Sequence, residues 1–298
     1  MTLSAHTDAH SPSQQSSRPR RWWLIALFTL IALLAAVYLA VLGKLWFGQE
    51  SLIFHPTPLP AGHTFQLPAD VHEVTIDVPG AKLDAVHMQL PHPDGVVFYL
   101  HGNAGNLTSW FVNADFYRAL NVDLFMVDYR GFGKSTGHIE SEAQLLADVQ
   151  AAWQTVAKQY EGRHVVFFGR SLGTGLAAKL TASLPPGQRP ELLVLVSPYI
   201  SMTAMAHEQY PFVPSALLRY PLRTDEAIKA LGGATPVLIL HGDKDALIPY
   251  RHAQVLSSLT PGVQLQAVPG AGHNDIQTYD VYLDKLRRAI ASTVRPPH

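Results

Sequence analysis

Six short runs of almost unbroken apolar residues decide what this chain can fold into: Val96–Leu100, Val122–Val127, His164–Phe168, Leu192–Val196, Val237–Leu240 and Val263–Val268. Strands that are apolar at nearly every position, and not only at alternate ones, are buried on both faces. Between them lie stretches with helical spacing, at 107–120, 140–160, 172–184, 251–259 and 274–292; in the second, Leu145, Leu146, Val149 and Trp153 make one apolar stripe behind Glu140-Ser141-Glu142. Such alternation predicts an α/β architecture, a mostly parallel sheet with helices on both faces. Val71–Val78 and Leu83–Leu90, with Pro79-Gly80 at the turn, read as a leading antiparallel pair that brings the sheet to about eight strands. A composition of 47% hydrophobic and 15% charged residues supplies the large interior this needs.

The residues before the sheet have a different character. Residues 1–21 are polar, rich in Ser and His, and end in Arg18-Pro19-Arg20-Arg21, the composition of a disordered tail. Trp22 to Leu42 then runs without a charge. At ~1.5 Å per residue a helix there is roughly 31 Å long, the thickness of a bilayer core. Trp22 and Trp23 at one end and Trp46 beyond the other suit the interfacial aromatic belts. The alternatives are a cleaved signal peptide, whose apolar region is usually only ~7–15 residues, and a buried core helix. An uncleaved transmembrane anchor is the expectation. Three arginines precede the span and Lys44 closely follows it, which places the N-terminus in the cytoplasm and the body outside, periplasmic in a bacterium. Residues 43–70, rich in Pro and Gly, are expected to form a juxtamembrane linker packed on the domain of 71–298, with Ser51-Leu52-Ile53-Phe54 as a hydrophobic tether. A Pro-rich stretch, 198–221, opens an excursion to about residue 233 that reads as a partial lid.

The chemistry is concentrated at His164-Val-Val-Phe-Phe-Gly169-Arg170-Ser171-Leu172-Gly173-Thr174-Gly175. This is strand, Gly-x-Ser-x-Gly, helix: a sharp elbow that projects a serine hydroxyl from the C-terminal edge of a sheet. Small residues are needed there because helix and strand come close together. Gly133-Lys134-Ser135-Thr136-Gly137 matches the same loose pattern, but Ser135 neither follows a strand directly nor opens a helix. A phosphate-binding loop is rejected at that stretch because glycine would have to stand where Asp128 does.

A serine needs a base, and the base an orienting carboxylate. On this kind of elbow they follow in the order serine, acid, histidine. The loop after 237–240, His241-Gly242-Asp243-Lys244-Asp245-Ala246-Leu247-Ile248-Pro249, and the loop after 263–268, Pro269-Gly270-Ala271-Gly272-His273-Asn274-Asp275, both leave the strand ends where ligands bind in open α/β sheets. Asp245 and His273 are the expected acid and base. Asp243 is the rival acid; Asp245 is favoured because it lies further along the loop and can reach back. His241 is read as a packing or loop residue, and Asp275 as the cap of the last helix. His6, His10 and His298, in the chain's tails, are read as solvated and idle. The oxyanion donors are expected to be the backbone amides of Leu172, at the new helix's N-terminus, and Asn103, in the loop His101-Gly102-Asn103-Ala104-Gly105-Asn106.

These pieces together resemble the α/β-hydrolases of the Bem46-like group, relatives of the membrane-anchored ABHD13 and ABHD17 types. The resemblance is carried by Leu52-Ile53-Phe54-His55-Pro56, the 101–106 loop, Asp128-Tyr129-Arg130-Gly131-Phe132-Gly133, the Ser171 elbow, Ser197-Pro198-Tyr199, the 241–249 loop and Ala271-Gly272-His273-Asn274-Asp275. It covers about 50 to 290 and implies the α/β-hydrolase fold with Ser171, Asp245 and His273 as a triad. The chain lacks the N-terminal cysteine cluster of the ABHD17 type; it has no cysteine, hence no disulfide, thiolate nucleophile or Cys-ligated zinc. A net charge of −1 offers no basic surface for nucleic acid. The expected activity is hydrolysis of carboxylic esters, thioesters or lysolipids without metal or organic cofactor. Peptidase or amidase activity on the same triad is one alternative, and a non-catalytic binding protein that keeps the fold is another.

Overall fold

The computed structural model describes residues 20–295. The readings for the tail residues 1–19, its histidines His6 and His10, and His298 lie outside the described residues. The chain divides into two units at Phe47 and Gly48. The first is helix α1, Arg20–Phe47. It continues past Leu42 through Gly43, whose cost inside a helix is only ~1 kcal/mol, into Lys44 and Leu45, which are good helix formers, and ends at Phe47. Its side chains are apolar on every side and mostly exposed, which makes it a candidate for a membrane span. Arg21–Phe47 is long and apolar enough to cross a membrane. Thr29 Oγ1 donates to the Ile25 carbonyl at 2.9 Å, so the one hydroxyl on that stretch before Tyr38 is satisfied within the helix.

The second unit opens with the short helix α2, Gln49–Ile53. Its sheet contains eight strands: β1 Val71–Val78, β2 Ala81–Met88, β3 Gly95–Leu100, β4 Val122–Val127, β5 His164–Arg170, β6 Leu192–Val196, β7 Val237–Gly242 and β8 Val263–Val268. Their order across the sheet is β8-β7-β6-β5-β3-β4-β2-β1. β2 runs antiparallel to both neighbours and the remaining pairs are parallel, as the sequence pattern requires.

The helices that follow are α3 Leu107–Trp110, α4 Ala114–Arg118, α5 Glu142–Ala157, α6 Leu172–Ser183, α7 Met202–Gln209, α8 Thr224–Leu231, α9 Arg251–Ser257 and α10 Asp280–Val294. α5, α6, α8 and α9 cover one face of the sheet, where Phe98, Phe125 and Phe167 pack against one another and Trp153 of α5 meets Phe98 and Phe167 edge-on. α3, α4 and α10 cover the other face over Val97, Val166 and Phe168. Ser141 starts α5 by accepting from the Gln144 amide at 3.1 Å.

Strand order reverses at β3 and β5. Neighbouring strands there send their connections to opposite faces and leave a crevice at the C-terminal edge, where α/β sheets bind ligands. The Ser171 elbow and the 101–106 loop both emerge at that point.

Candidate active site

Ser171 sits between β5 and α6 at φ 51° and ψ −118°. This left-handed backbone costs a non-glycine residue of order 1–3 kcal/mol and persists only where packing enforces it. The enforcement is visible: a Cβ at Gly173 would run into the Leu100 carbonyl, and one at Gly169 into the backbone of Gly173 and Thr174. Ser171 N–H donates to the Val196 carbonyl at 2.9 Å, and Tyr199 Oη donates to the Leu172 carbonyl at 3.0 Å, fixing both sides of the elbow.

The loops after β7 and β8 bring two further side chains to the serine. His273 Nε2 lies 3.1 Å from Ser171 Oγ, and His273 Nδ1 lies 2.7 Å from Asp245 Oδ2. Asp245 Oδ1 accepts from the Leu247 and Ile248 amides at 3.0 and 2.7 Å. Burial by itself would raise this carboxyl. Hydrogen bonds from His241 and His273 and from the Ile248 amide outweigh burial and hold it well below the usual carboxylate range. A carboxylate so held accepts the Nδ1 proton of His273 and leaves the Nε2 lone pair facing the serine.

Asp243, the rival acid, is turned elsewhere: its Oδ1 accepts from the Gly270 amide at 2.7 Å. His241 Nε2 donates to the Ile248 carbonyl at 2.8 Å and lies 3.4 Å from Asp245 Oδ2, a loop residue beneath the acid. Ser135 is a turn strut. Its Oγ donates to the Asp128 carbonyl at 2.7 Å and accepts from the Asp84 amide at 2.8 Å. Asp275 does not cap α10, which begins at Asp280 behind Tyr279. Residues 276–278 form a 3-10 turn first, and Asp275 Oδ1 instead accepts from the Gly272 amide at 2.7 Å, bracing the His273 loop.

The 101–106 loop lies against the serine: a Cβ at Gly102 would stand 3.7 Å from Ser171 Cβ. The Leu172 and Asn103 amides have no acceptor among the described residues. The Leu172 amide opens α6, where the helix dipole amounts to about half a positive charge. N–H groups without an acceptor are the kind of donor that a developing oxyanion uses.

The family described as "Serine aminopeptidase, S33" matches residues 91–223. An uncharacterized protein of Mycobacterium tuberculosis is 30% identical over 89% of this chain and 95% of its own length. The α/β-hydrolase domain-containing protein 17B of Xenopus laevis is 31% identical over 67% of this chain and 68% of that protein. In three dimensions an esterase of Pyrococcus furiosus superposes with a TM-score of 0.62 at 17% identity, over 82% of this chain and 97% of that one. The chain belongs to the α/β-hydrolase superfamily. Within it the chain is of the ABHD17-like kind, and it is a hydrolase.

Several residues that this hydrolase places around its site were not read as such from the sequence. Arg170, between Gly169 and Ser171 in the elbow, is buried on the α10 face, and its Nη2 donates to the His273 carbonyl. A charged residue closing an otherwise apolar strand was the signal for it. A cavity of about 150 Å³ lies beside it, with Tyr99, Trp110, Tyr117, Asn274 and Tyr282 in its wall. His101 is fully buried against Tyr129, at 4.3 Å between ring centres, and its Nδ1 donates to the Gly102 carbonyl at 2.7 Å. Arg130 grips Asp148 of α5 through two bonds of 2.6 and 2.9 Å and so ties the 128–133 loop to the helical layer.

Proposed function

We propose that this protein is a membrane-anchored serine hydrolase that cleaves carboxylic ester or thioester bonds of acyl or lipid-like substrates through a Ser171–His273–Asp245 triad. The observation that carries the proposal is the continuous hydrogen-bond path from Asp245 through His273 to Ser171, together with the Leu172 and Asn103 amides, which have no acceptor among the described residues. Ser171 Oγ attacks the carbonyl carbon while His273 Nε2 takes its proton. The Leu172 and Asn103 amides receive the oxyanion; one such donor contributes roughly 10²–10³ in rate. His273 returns the proton to the departing alcohol or thiol, leaving an acyl-serine. Water, deprotonated by the same nitrogen, then releases the acid and restores Ser171.

The substrate class follows from tethering. An apolar helix covalently joined to the catalytic unit keeps it at a bilayer surface, where acyl esters and lysolipids are concentrated. The arginines before the uncharged stretch Trp22–Leu42 orient the N-terminus to the cytoplasm and the catalytic unit to the other side. Turnover of p-nitrophenyl esters from acetate to palmitate, against matched thioesters and aminoacyl anilides, tests the reading on detergent-solubilised protein. Ester and thioester turnover that disappears in Ser171→Ala is expected. Faster cleavage of the anilides would move the assignment to a peptidase, and no turnover of any of them to a binding role.

A further inference from the structure

Every backbone carbonyl from His101 to Asn106 accepts a hydrogen bond. The donors are, in order, Tyr129 Oη, His101 Nδ1, the His55 N–H, Trp110 Nε1, the Thr57 N–H, and the Ser109 and Trp110 N–H groups. Two of them, His55 and Thr57, come from the stretch that follows α2. There His55–Pro56 pairs in parallel with Ala104–Gly105. Asn103 is gripped twice by this stretch: its carbonyl accepts from His55 N–H at 2.7 Å, and its Nδ2 donates to the Ile53 carbonyl at 2.9 Å. Asn106 Nδ2 adds a bond of 2.7 Å to the Thr57 carbonyl.

The same stretch holds the excursion after β6. Gln49 donates to the Leu217 carbonyl at 2.6 Å and accepts from the Arg219 amide at 2.8 Å. Glu50 accepts from Tyr220 Oη at 2.6 Å and pairs with Arg219. Phe54 meets Tyr220 edge-on at 5.3 Å, and Ile53 and Phe54 are buried in the core.

We propose that residues 49–59 are a positioning strap of the active site: by pinning the Asn103 carbonyl and side chain they aim the Asn103 N–H at the oxyanion, and through Gln49 and Glu50 they join that loop to the 217–220 segment. In a trans peptide the N–H points away from the preceding carbonyl. The Gly102 carbonyl is held by buried His101 on one side and Asn103 by the strap on the other, so the direction of the intervening N–H is set from both ends. The strap is thus a requirement for transition-state stabilisation and not only for folding. This inference rests on the reading of Asn103 as an oxyanion donor.

The test uses the full-length protein in detergent and two variants. Asn103→Ala removes the side-chain anchor and keeps the amide. His55→Pro removes one N–H; Phe54, at φ −110° and ψ 127°, already has the extended backbone a following proline needs. Reactive sites are counted with a fluorophosphonate, and kcat per counted site is measured on p-nitrophenyl butyrate. The Ki of an aryl trifluoromethyl ketone, bound as a hemiketal oxyanion, is measured alongside. Each variant is expected to lose roughly 10–100-fold in kcat per site with little change in KM, and Ki should rise by a similar factor. Unchanged kcat per site and Ki, whatever happens to the melting temperature, would overturn the proposal. A wild type that does not react with the fluorophosphonate would instead overturn the serine-hydrolase reading, and the strap with it.

Discussion

Replacing Asp245 with asparagine keeps the shape of the side chain and reverses one of its polarities. Asp245 Oδ1 accepts two backbone amides, from Leu247 and Ile248, so in the Asp245→Asn variant the side-chain amide oxygen takes that side. The opposite rotamer would set an NH₂ against two donors and forfeit both bonds, about 1 kcal/mol each. The NH₂ therefore faces His273 Nδ1 at the 2.7 Å now spanned by an N–H donating to a carboxylate. Two donors cannot share that contact. The imidazole moves its proton to Nε2, which lies 3.1 Å from Ser171 Oγ and then donates where it must accept. Loss of the correct tautomer in a serine triad costs about 10⁴ in kcat, or ~5.4 kcal/mol of transition-state stabilisation. The assay is kcat on p-nitrophenyl butyrate for Asp245→Asn beside Asp243→Asn, whose carboxylate holds the Gly270 amide through an oxygen that asparagine retains. An Asp245→Asn enzyme within roughly tenfold of wild type, or a larger loss in Asp243→Asn, would refute the reasoning.

Three further outcomes follow from the geometry. Arg170→Met removes the donor to the His273 carbonyl and is expected to lower kcat about tenfold with KM held, measured by steady-state kinetics. Gly173→Ala drives a Cβ into the Leu100 carbonyl and should destabilise the fold by about 1–3 kcal/mol of overpacking, read from urea unfolding of the detergent-solubilised protein. Burial, with Glu73 nearby, pushes the Asp84 carboxyl up to about 7, so the folded state holds a proton that the unfolded chain releases near its ordinary 3.8. Stability from this group is full below about pH 3.8 and falls as pH rises to about 7; Asp84→Asn should flatten that fall in melting temperatures taken across the window.

The sheet was legible because burial on both faces leaves a simple trace, an apolar run bounded by turn residues. β4 and β6, buried at every position, carry the bounds expected of them; β1 and β8 carry theirs as well, but as edge strands they are partly exposed, and Val263–Val268 is not buried on both faces as its apolar run suggested, because only β7 flanks it. Helices were read less well wherever their ends depend on local hydrogen bonds. The stretch 107–120 splits into α3 and α4 around Phe111–Asn113. The last helix starts at Asp280 because the turn at Ile276–Thr278 and extended Tyr279 come first. Ser171, Asp245 and His273 could be picked out because each follows a strand at the same edge, and the structure places His273 within hydrogen-bond reach of both Ser171 and Asp245. The contacts of the 49–59 stretch were not legible. Its sheet pairing is only two residues long and joins segments far apart in the chain, so it leaves no periodic trace. Of the expected tether, Ile53 and Phe54 are buried and Leu52 is exposed.

The most direct test of the account is reaction with a fluorophosphonate probe of wild-type protein beside Ser171→Ala, both in detergent and both shown to be folded. The account predicts stoichiometric labelling of the wild type, with the probe on the peptide that contains Ser171, and none of the variant. A folded wild type that does not react, or labelling that persists in Ser171→Ala, would contradict it.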